Sequence, residues 1–220
     1  MKQFLRDNGL SIAMFTIFAL CAVGLAVVGW DTFNAEQEEH GRLAIGLADY
    51  LATPDFGEAM FENWESEFLQ MGAYVLLTVF LFQRGSSESK DPDESKGAAD
   101  DATRKGTKRD APWPVRRGGL VLAIYRHSLS IALFAFFAFS FVMHLITGAA
   151  RFSEEQLAHG SGPVTAAQYL FTSQFWFESL QNWQSEFLAV GVLIVLSIFL
   201  RQKGSPESKS VAAPHAQTGT

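Results

Sequence analysis

Two copies of one short motif carry ionisable side chains at positions where they could do chemistry. The sequence NWESEFL occupies residues 63–69, and NWQSEFL occupies residues 182–188. In each copy the last carboxylate, Glu67 or Glu186, is followed directly by an apolar run. Such a carboxylate needs a partner or a proton, because burying its charge alone is costly. Two roles stay open, polar contacts between helices or a proton or cation site, for Asn63, Glu67, Asn182 and Glu186.

A second pattern also occurs twice and could bind a metal ion. Glu36 precedes His40 by four residues, and Glu155 precedes His159 by four residues. On a helix this spacing can present two metal ligands, and it is equally the spacing of a solvated surface pair. A structural zinc site usually takes four ligands, and the single cysteine, Cys21, lies in an apolar run. We therefore predict no metal and no cofactor, and keep these four residues as candidates only.

Four apolar runs determine the expected architecture. Residues 10–30 carry no charge over 21 residues, and residues 129–150 form a second long run that His144 interrupts. About 20 apolar residues cross a hydrocarbon core of about 30 Å. The runs 68–82 and 187–200 are shorter and must recruit residues upstream of them. The sequence predicts an all-α membrane protein with four transmembrane helices.

The first apolar run has the positive start of a signal peptide, in Lys2 and Arg6. The run continues well past Cys21, where a lipoprotein would be cleaved, and its counterpart at 129–150 lies inside the chain. We therefore expect an uncleaved helix.

The chain reads as one two-helix segment written twice. A shift of 119 residues aligns residues 10–90 with 129–209 without a gap, and 35 of the 81 pairs are identical. Two spans per copy make the repeat parallel, unlike the inverted repeats of many transporters. The polar sequences after each copy cannot bury enough apolar surface to offset ordering entropy. The expected parts are a two-helix unit at 1–85, a disordered charged linker at 86–118, a second two-helix unit at 119–204 and a disordered tail at 205–220.

The distribution of basic residues predicts the orientation in the membrane. Of 17 Lys and Arg residues, 15 lie in the N-terminus, the linker with its flanks, or the tail. The loops between paired spans contain only Arg42 and Arg151, and the first of them is acidic. Positive segments stay in the cytoplasm. We expect both termini and the linker to be cytoplasmic.

The repeated motif should lie where each second span enters the bilayer. Trp64 and Trp183 fit the aromatic belt at headgroup depth. Helical geometry puts Glu65 about 200° around the helix from Glu67. We expect Glu67 to turn inward, toward a partner, and Glu65 to turn outward, since Gln184 replaces it in the second copy.

Residues 61–90, FENWESEFLQMGAYVLLTVFLFQRGSSESK, resemble the signature of a family of small bacterial integral membrane proteins that carry a domain of unknown function. The WxSEFL and GSxESK motifs carry the resemblance, and the second copy departs from it at Gln184 and at residues 189–190. The resemblance implies an inner-membrane location and this architecture, and it implies no activity.

The absence of enzyme motifs favours a non-enzymatic role. No phosphate-binding loop, HExxH, GxSxG or dinucleotide fingerprint occurs, and no basic stripe suits nucleic acid. We predict a membrane scaffold or accessory protein whose partners are the lipid bilayer and either another protein or a second copy. The alternative is a small proton- or cation-coupled transporter or channel that uses Glu67 and Glu186.

Overall fold

The computed structural model describes residues 2–91 and 111–219, and within these ranges every regular element is a helix. The helices are α1 (Lys2–Asp7), α2 (Gly9–Glu39), α3 (Leu47–Tyr50), α4 (Pro54–Leu77), α5 (Trp113–Arg117), α6 (Gly119–Arg126), α7 (Ser128–Ala158), α8 (Ala166–Tyr169) and α9 (Ser173–Phe199). The prediction of an all-α chain is confirmed for this part.

Three helices, α2, α7 and α9, are long and apolar enough to cross a membrane. Helix α2 contains no buried residue, and its side chains Leu10 and Phe15 are 77% and 73% exposed. Continuous exposed apolar surface on this scale is unfavourable in water and suits a lipid environment. The composition of these helices is that of a membrane protein.

The fourth predicted span falls in α4, which is less apolar than the other three helices. Any stretch of 18 residues within Pro54–Leu77 contains Glu62, Glu65 and Glu67. Helix α9 has glutamines in place of the first two acids, which leaves it apolar enough to qualify. Four spans are therefore not confirmed, because three carboxylates occupy the middle of α4.

The ends of the long helices are set by local hydrogen bonds. The Thr53 hydroxyl accepts the Phe56 N–H at 3.3 Å, and the Thr172 hydroxyl accepts the Phe175 N–H at 3.3 Å, so both threonines cap the start of a helix. Gly41, just past the end of α2, has φ 69°, a left-handed conformation that glycine adopts without strain.

The segments that follow α2 and α7 are tied back to those helices. Asn34 binds both the N–H and the C=O of Ile45, at 2.9 and 3.1 Å. Ser153 binds both the N–H and the C=O of Val164, at 2.9 and 2.8 Å. These contacts hold the segments after α2 and α7 beside the helix ends that carry the Glu-His pairs.

The chain divides into two compact units. Unit 1 is Met1–Phe61 with Met143–Phe171, and unit 2 is Glu62–Val142 with Thr172–Thr220. Unit 1 thus holds both Glu-His pairs, and unit 2 holds both copies of the NWxSEFL motif.

Parts of the segments 86–118 and 205–220, for which the sequence predicts disorder, lie within the described residues. Residues 92–110 lie outside the described residues, whereas Trp113–Arg117 form a short helix. The tail through residue 219 has a defined course without a helix and is hydrogen-bonded to the segment after α4. The reason is the Lys209 ammonium group, which binds the carbonyl oxygens of Gly85, Pro214, His215 and Gln217 at 2.5 to 3.3 Å.

Candidate functional site

The two NWxSEFL copies lie together in unit 2, where polar side chains of α9 donate to acids of α4. The Trp183 indole N–H donates to Glu65 Oε1 at 3.0 Å, and Glu65 has no exposed surface. The amides of Asn182 and Gln181 donate to Glu62 Oε1, at 2.5 and 3.3 Å. We call these three hydrogen bonds the collar contacts. A buried carboxylate in this setting is stabilised by its donors rather than by solvent.

The two glutamates of the first copy lie opposite to expectation. Glu65 is fully buried, and Glu67 is exposed. Helical spacing correctly separates the two side chains, but it does not say which of them faces the neighbouring helix. The inward direction was assigned from depth alone, and the contact with Trp183 determines it instead.

The four polar candidates are not equivalent. Asn182 contacts Glu62 of α4, whereas Asn63 is exposed. The carboxylates of Glu67 and Glu186 are close enough to interact electrostatically. The structure therefore brings Glu67 and Glu186 near each other and gives Asn182 an interhelical partner.

The two tryptophans also differ. Trp183 is half-buried, its N–H is bound by Glu65, and its ring lies edge-on to Trp176 with centroids 6.2 Å apart. Trp64 is half-buried as well. Trp183 thus has a packing role that an interfacial anchor alone does not require.

Two polar residues follow the motif toward the end of α4, Tyr74 within the helix and Thr78 just after it, and their hydroxyl groups make hydrogen bonds within this part of the chain. The Tyr74 hydroxyl donates to Glu88 Oε2 at 3.0 Å, and the Thr78 hydroxyl donates to the Val75 carbonyl at 2.9 Å. These contacts join Tyr74 to the segment after α4 and Thr78 to α4 itself.

The Glu-His pairs of unit 1 line one cavity of about 290 Å³, which we call the loop cavity. Its lining comprises Phe33, Glu36, Gln37, His40, Arg42, Asp55, Arg151, Glu154, Glu155, Ala158 and His159. Among the described residues the lining contributes four carboxylates and two guanidinium groups, so acids are in excess. Each pair is visible separately in the sequence, and the fold brings both pairs to one cavity.

Both imidazoles of the loop cavity are oriented in the same way. His40 Nδ1 lies 2.8 Å from the Glu36 carbonyl oxygen, and His159 Nδ1 lies 2.8 Å from the Glu155 carbonyl oxygen. A carbonyl oxygen can only accept, so Nδ1 carries the proton in both rings. In the neutral imidazole Nε2 is then the atom with an available lone pair.

A buried carboxylate in unit 1 was missed from the sequence. Glu58 is 4% exposed and accepts hydrogen bonds from Arg151 Nη1 at 2.5 Å and from the Tyr169 hydroxyl at 3.5 Å. Arg151 also pairs with Asp55 at 3.3 Å. The available signal was Arg151 itself, one of two basic residues in the acidic loops, but Glu58 is one acid among many there.

Two aromatic rings pack on helix glycines beside this carboxylate. Tyr169 contacts Gly148, where an added Cβ would come within 2.7 Å of the ring. Tyr50, the last residue of α3, packs on Gly29, and its ring is tilted against Phe33 with centroids 5.5 Å apart. Burial, and then the nearby negative charges of Asp55 and Glu36, raises the pKa of Tyr50 above its ordinary value.

Unit 2 also contains a buried lysine. Lys209 is 2% exposed, and its four carbonyl contacts satisfy the ammonium group. Burial, with a contribution from Arg201, lowers the pKa of Lys209. Ser86 and Ser197 hydroxyls share a hydrogen bond of 2.8 Å nearby, so this part of unit 2 is connected by polar contacts.

The described helices, three of them apolar and long enough to span a bilayer, have the length and composition expected of an α-helical membrane protein. The chain belongs to the family described as Domain of unknown function (DUF6766), whose model matches residues 1–220. No curated protein and no solved structure matches the chain.

Proposed function

We propose that this protein is a non-enzymatic scaffold or accessory protein of a bacterial cytoplasmic membrane, with four spans and cytoplasmic termini. The observation that carries the proposal is the set of collar contacts, in which polar side chains at the mouth of the apolar runs bond to one another. Side chains that hydrogen-bond to each other in this way stabilise the packing of helices in a membrane. Their placement therefore supports a structural use of the repeated motif.

The proposed architecture is two tandem parallel repeats. Under the 119-residue shift the bounds of α2 coincide with those of α7, each with 31 residues. The bounds of α3 and α8 coincide in the same way, and α4 and α9 begin at corresponding residues. The paired ties of Asn34 and Ser153 to their loops are a further correspondence that supports the repeat.

The fourth span is assigned to α4. Its acids Glu62 and Glu65 are engaged by donors from α9, and such pairing reduces the cost of holding carboxylates near hydrocarbon. A span there gives each repeat two crossings and returns the chain to the side of its basic segments. The excess of Lys and Arg in those segments supports a cytoplasmic location for them.

The accessory role rests on the polar layer at the Lys209 end of unit 2. There the segment after α4 and the tail are joined by Gly85 N–H to the Thr218 hydroxyl at 2.9 Å and by the Ser87 hydroxyl to the Glu207 carbonyl at 3.0 Å. An ordered polar surface of this kind is suited to contact another protein.

The test is an ion-flux assay in proteoliposomes. The purified chain is reconstituted, and proton, sodium and potassium fluxes are compared with those of empty liposomes between pH 5.5 and 8. We expect no flux above the empty control. Glu67→Gln and Glu186→Gln should leave both the flux and the monodisperse yield unchanged.

A second function is favoured by one observation, the electrostatic interaction between Glu67 and Glu186. Two carboxylates that interact electrostatically can share a proton or bind a cation. Flux above the control that each Gln variant abolishes, at unchanged yield, would establish this transport function and overturn the scaffold proposal.

A further inference from the structure

We propose that the loop cavity binds one divalent transition-metal ion of the zinc type. Its ligands are the two imidazoles and two carboxylates of the Glu-His pairs, Glu36, His40, Glu155 and His159. The inference goes beyond the scaffold proposal and does not depend on it.

Ligand number and type are the first argument. Tetrahedral zinc takes four ligands, and imidazole nitrogen with carboxylate oxygen is a donor set it accepts. Each Glu-His pair supplies one of each, and both pairs line the same cavity. Neither pair alone is sufficient, which is why the sequence by itself left the metal unassigned.

The orientation of the imidazoles is an independent argument. Histidine ligands commonly donate their second ring N–H to a carbonyl or carboxylate, which fixes the tautomer and directs the other nitrogen to the metal. Nδ1 of His40 and Nδ1 of His159 each make such a bond to a backbone carbonyl, at 2.8 Å in both cases. Nε2 of each ring is thereby the ligand atom.

The charge of the surroundings also favours a cation. Arg151 is paired with Asp55 at 3.3 Å, so the remaining acids of the lining, Glu36, Glu154 and Glu155, outnumber the remaining guanidinium of Arg42. Helices α2 and α7 end at Glu39 and Ala158, beside the two pairs. The C-terminal end of a helix carries a partial negative charge that attracts cations.

Binding requires the four side chains to change their positions. Among the described residues, no three ligand atoms of the Glu-His pairs lie within 4.8 Å of one another. All four side chains are exposed, so they can rotate without disturbing a packed core. The ion would draw together the ends of α2 and α7, and it should therefore stabilise the fold.

The experiment measures Zn²⁺ binding to the full chain in detergent after removal of metal with EDTA. Calorimetry should give one Zn²⁺ per chain, and saturating Zn²⁺ should raise Tm by about 5 °C, from the stabilisation that ligand at about 100 times Kd confers. Ca²⁺ and Mg²⁺ should give neither effect. Co²⁺ should give the visible absorption of a tetrahedral complex.

Variants assign the ligands. His40→Ala and His159→Ala should each weaken Zn²⁺ binding at least 10-fold, whereas His127→Ala, at an exposed histidine of unit 2, should bind like the parent chain. Lowering the pH from 7.5 to 5.5 should weaken Zn²⁺ binding, because protons compete with the metal ion for the imidazole nitrogens. The charged groups that face the imidazoles in the loop cavity are those of Glu36, Asp55, Glu154, Glu155, Arg42 and Arg151.

Should an alanine variant give too little protein, His40→Gln and His159→Gln take its place, and Co²⁺ absorption supplies the readout. Absence of saturable Zn²⁺ binding would overturn the proposal. So would binding that survives both His40 and His159 substitutions, or a preference for Ca²⁺ or Mg²⁺.

Discussion

The loop cavity and the collar contacts use duplicated positions in opposite ways. In the loop cavity both repeats supply the same side chains, a glutamate and a histidine, and all four are exposed. In the collar, Glu62 and Glu65 of the first repeat correspond to Gln181 and Gln184 of the second. Side chains that touch must be complementary, because like charges in contact repel, whereas side chains that share a solvated cavity can be identical.

One collar contact joins two corresponding positions directly. Gln181 lies 119 residues after Glu62, and its amide donates to the Glu62 carboxylate at 3.3 Å. Glutamates at both positions would repel, so the amide in the second repeat removes the conflict. Glu67 and Glu186 keep identical acids at interacting positions, and this is why the transport alternative concerns that pair.

The largest effect is expected at the buried carboxylate of unit 1. Arg151→Met removes a charged donor of Glu58, which is 4% exposed and also accepts a hydrogen bond from the Tyr169 hydroxyl. Leaving a buried carboxylate without its cation should cost about 2 kcal/mol of unfolding free energy, or about 4–8 °C in Tm. Thermal unfolding in detergent measures it.

The matched control is Arg42→Met, which removes the other basic residue between the paired spans and should change Tm little, because among the described residues no acid pairs with Arg42 as Glu58 and Asp55 pair with Arg151. Adding Glu58→Gln to Arg151→Met removes the uncompensated charge and should recover most of the loss. Equal effects of the two arginine substitutions would contradict the structural role of Arg151.

The next largest loss of stability is expected from substitution of the buried glutamate of the collar contacts, Glu65, and not from substitution of the exposed Glu67. Glu65→Leu removes the acceptor of the Trp183 N–H and should cost about 1 kcal/mol. Glu65→Gln keeps an acceptor oxygen and should cost less. Glu67→Leu, at an exposed position, should have a smaller effect than Glu65→Leu on Tm and monodisperse yield. A larger effect of Glu67→Leu than of Glu65→Leu would support the sequence prediction that Glu67 faces inward.

A smaller effect should follow from making the repeats more alike. Gln181→Glu places a second carboxylate against Glu62 and should cost about 0.5 kcal/mol, since the position is exposed. Exchanging the two residues, Glu62→Gln with Gln181→Glu, should restore Tm. Gln184→Glu also makes the motifs identical but contacts its own helix, so it should be neutral. Neutrality of Gln181→Glu would argue against complementarity as the reason for the asymmetry.

The sequence was sufficient for features that depend on composition along one segment. The long apolar runs predicted α2, α7 and α9, and three acids explain why α4 is the span that stays unconfirmed. The sequence was not sufficient for features that depend on which face of a helix packs against the neighbouring helix. Spacing separated Glu65 from Glu67 without giving the direction of either.

The ion pair of Glu58 and Arg151 was not predicted from the sequence for a related reason. Under the 119-residue shift Glu58 corresponds to Phe177, and Arg151 corresponds to Thr32, so the repeat gave no second copy to draw notice to it. The Glu-His pairs were visible because they occur twice, but their common cavity is a property of the folded chain.

A gain in stability, rather than a loss, is expected at a glycine that occurs in both repeats, Gly72 and Gly191. Its recurrence in the sequence favours close helix approach. Among the described residues, no atom outside the local helix lies within 4 Å of a Cβ added at Gly191, whereas a Cβ at Gly72 would make ordinary contact with Phe134 at 3.4 Å. Gly191→Ala should therefore raise stability, by about 0.5–1 kcal/mol, through helix propensity alone. Gly72→Ala should gain less. Loss of stability or of assembly on Gly191→Ala, measured by Tm and by size in detergent, would mean that α9 approaches a second copy or another protein at Gly191, and would place the interaction surface of the accessory protein there instead of in the polar layer near Lys209.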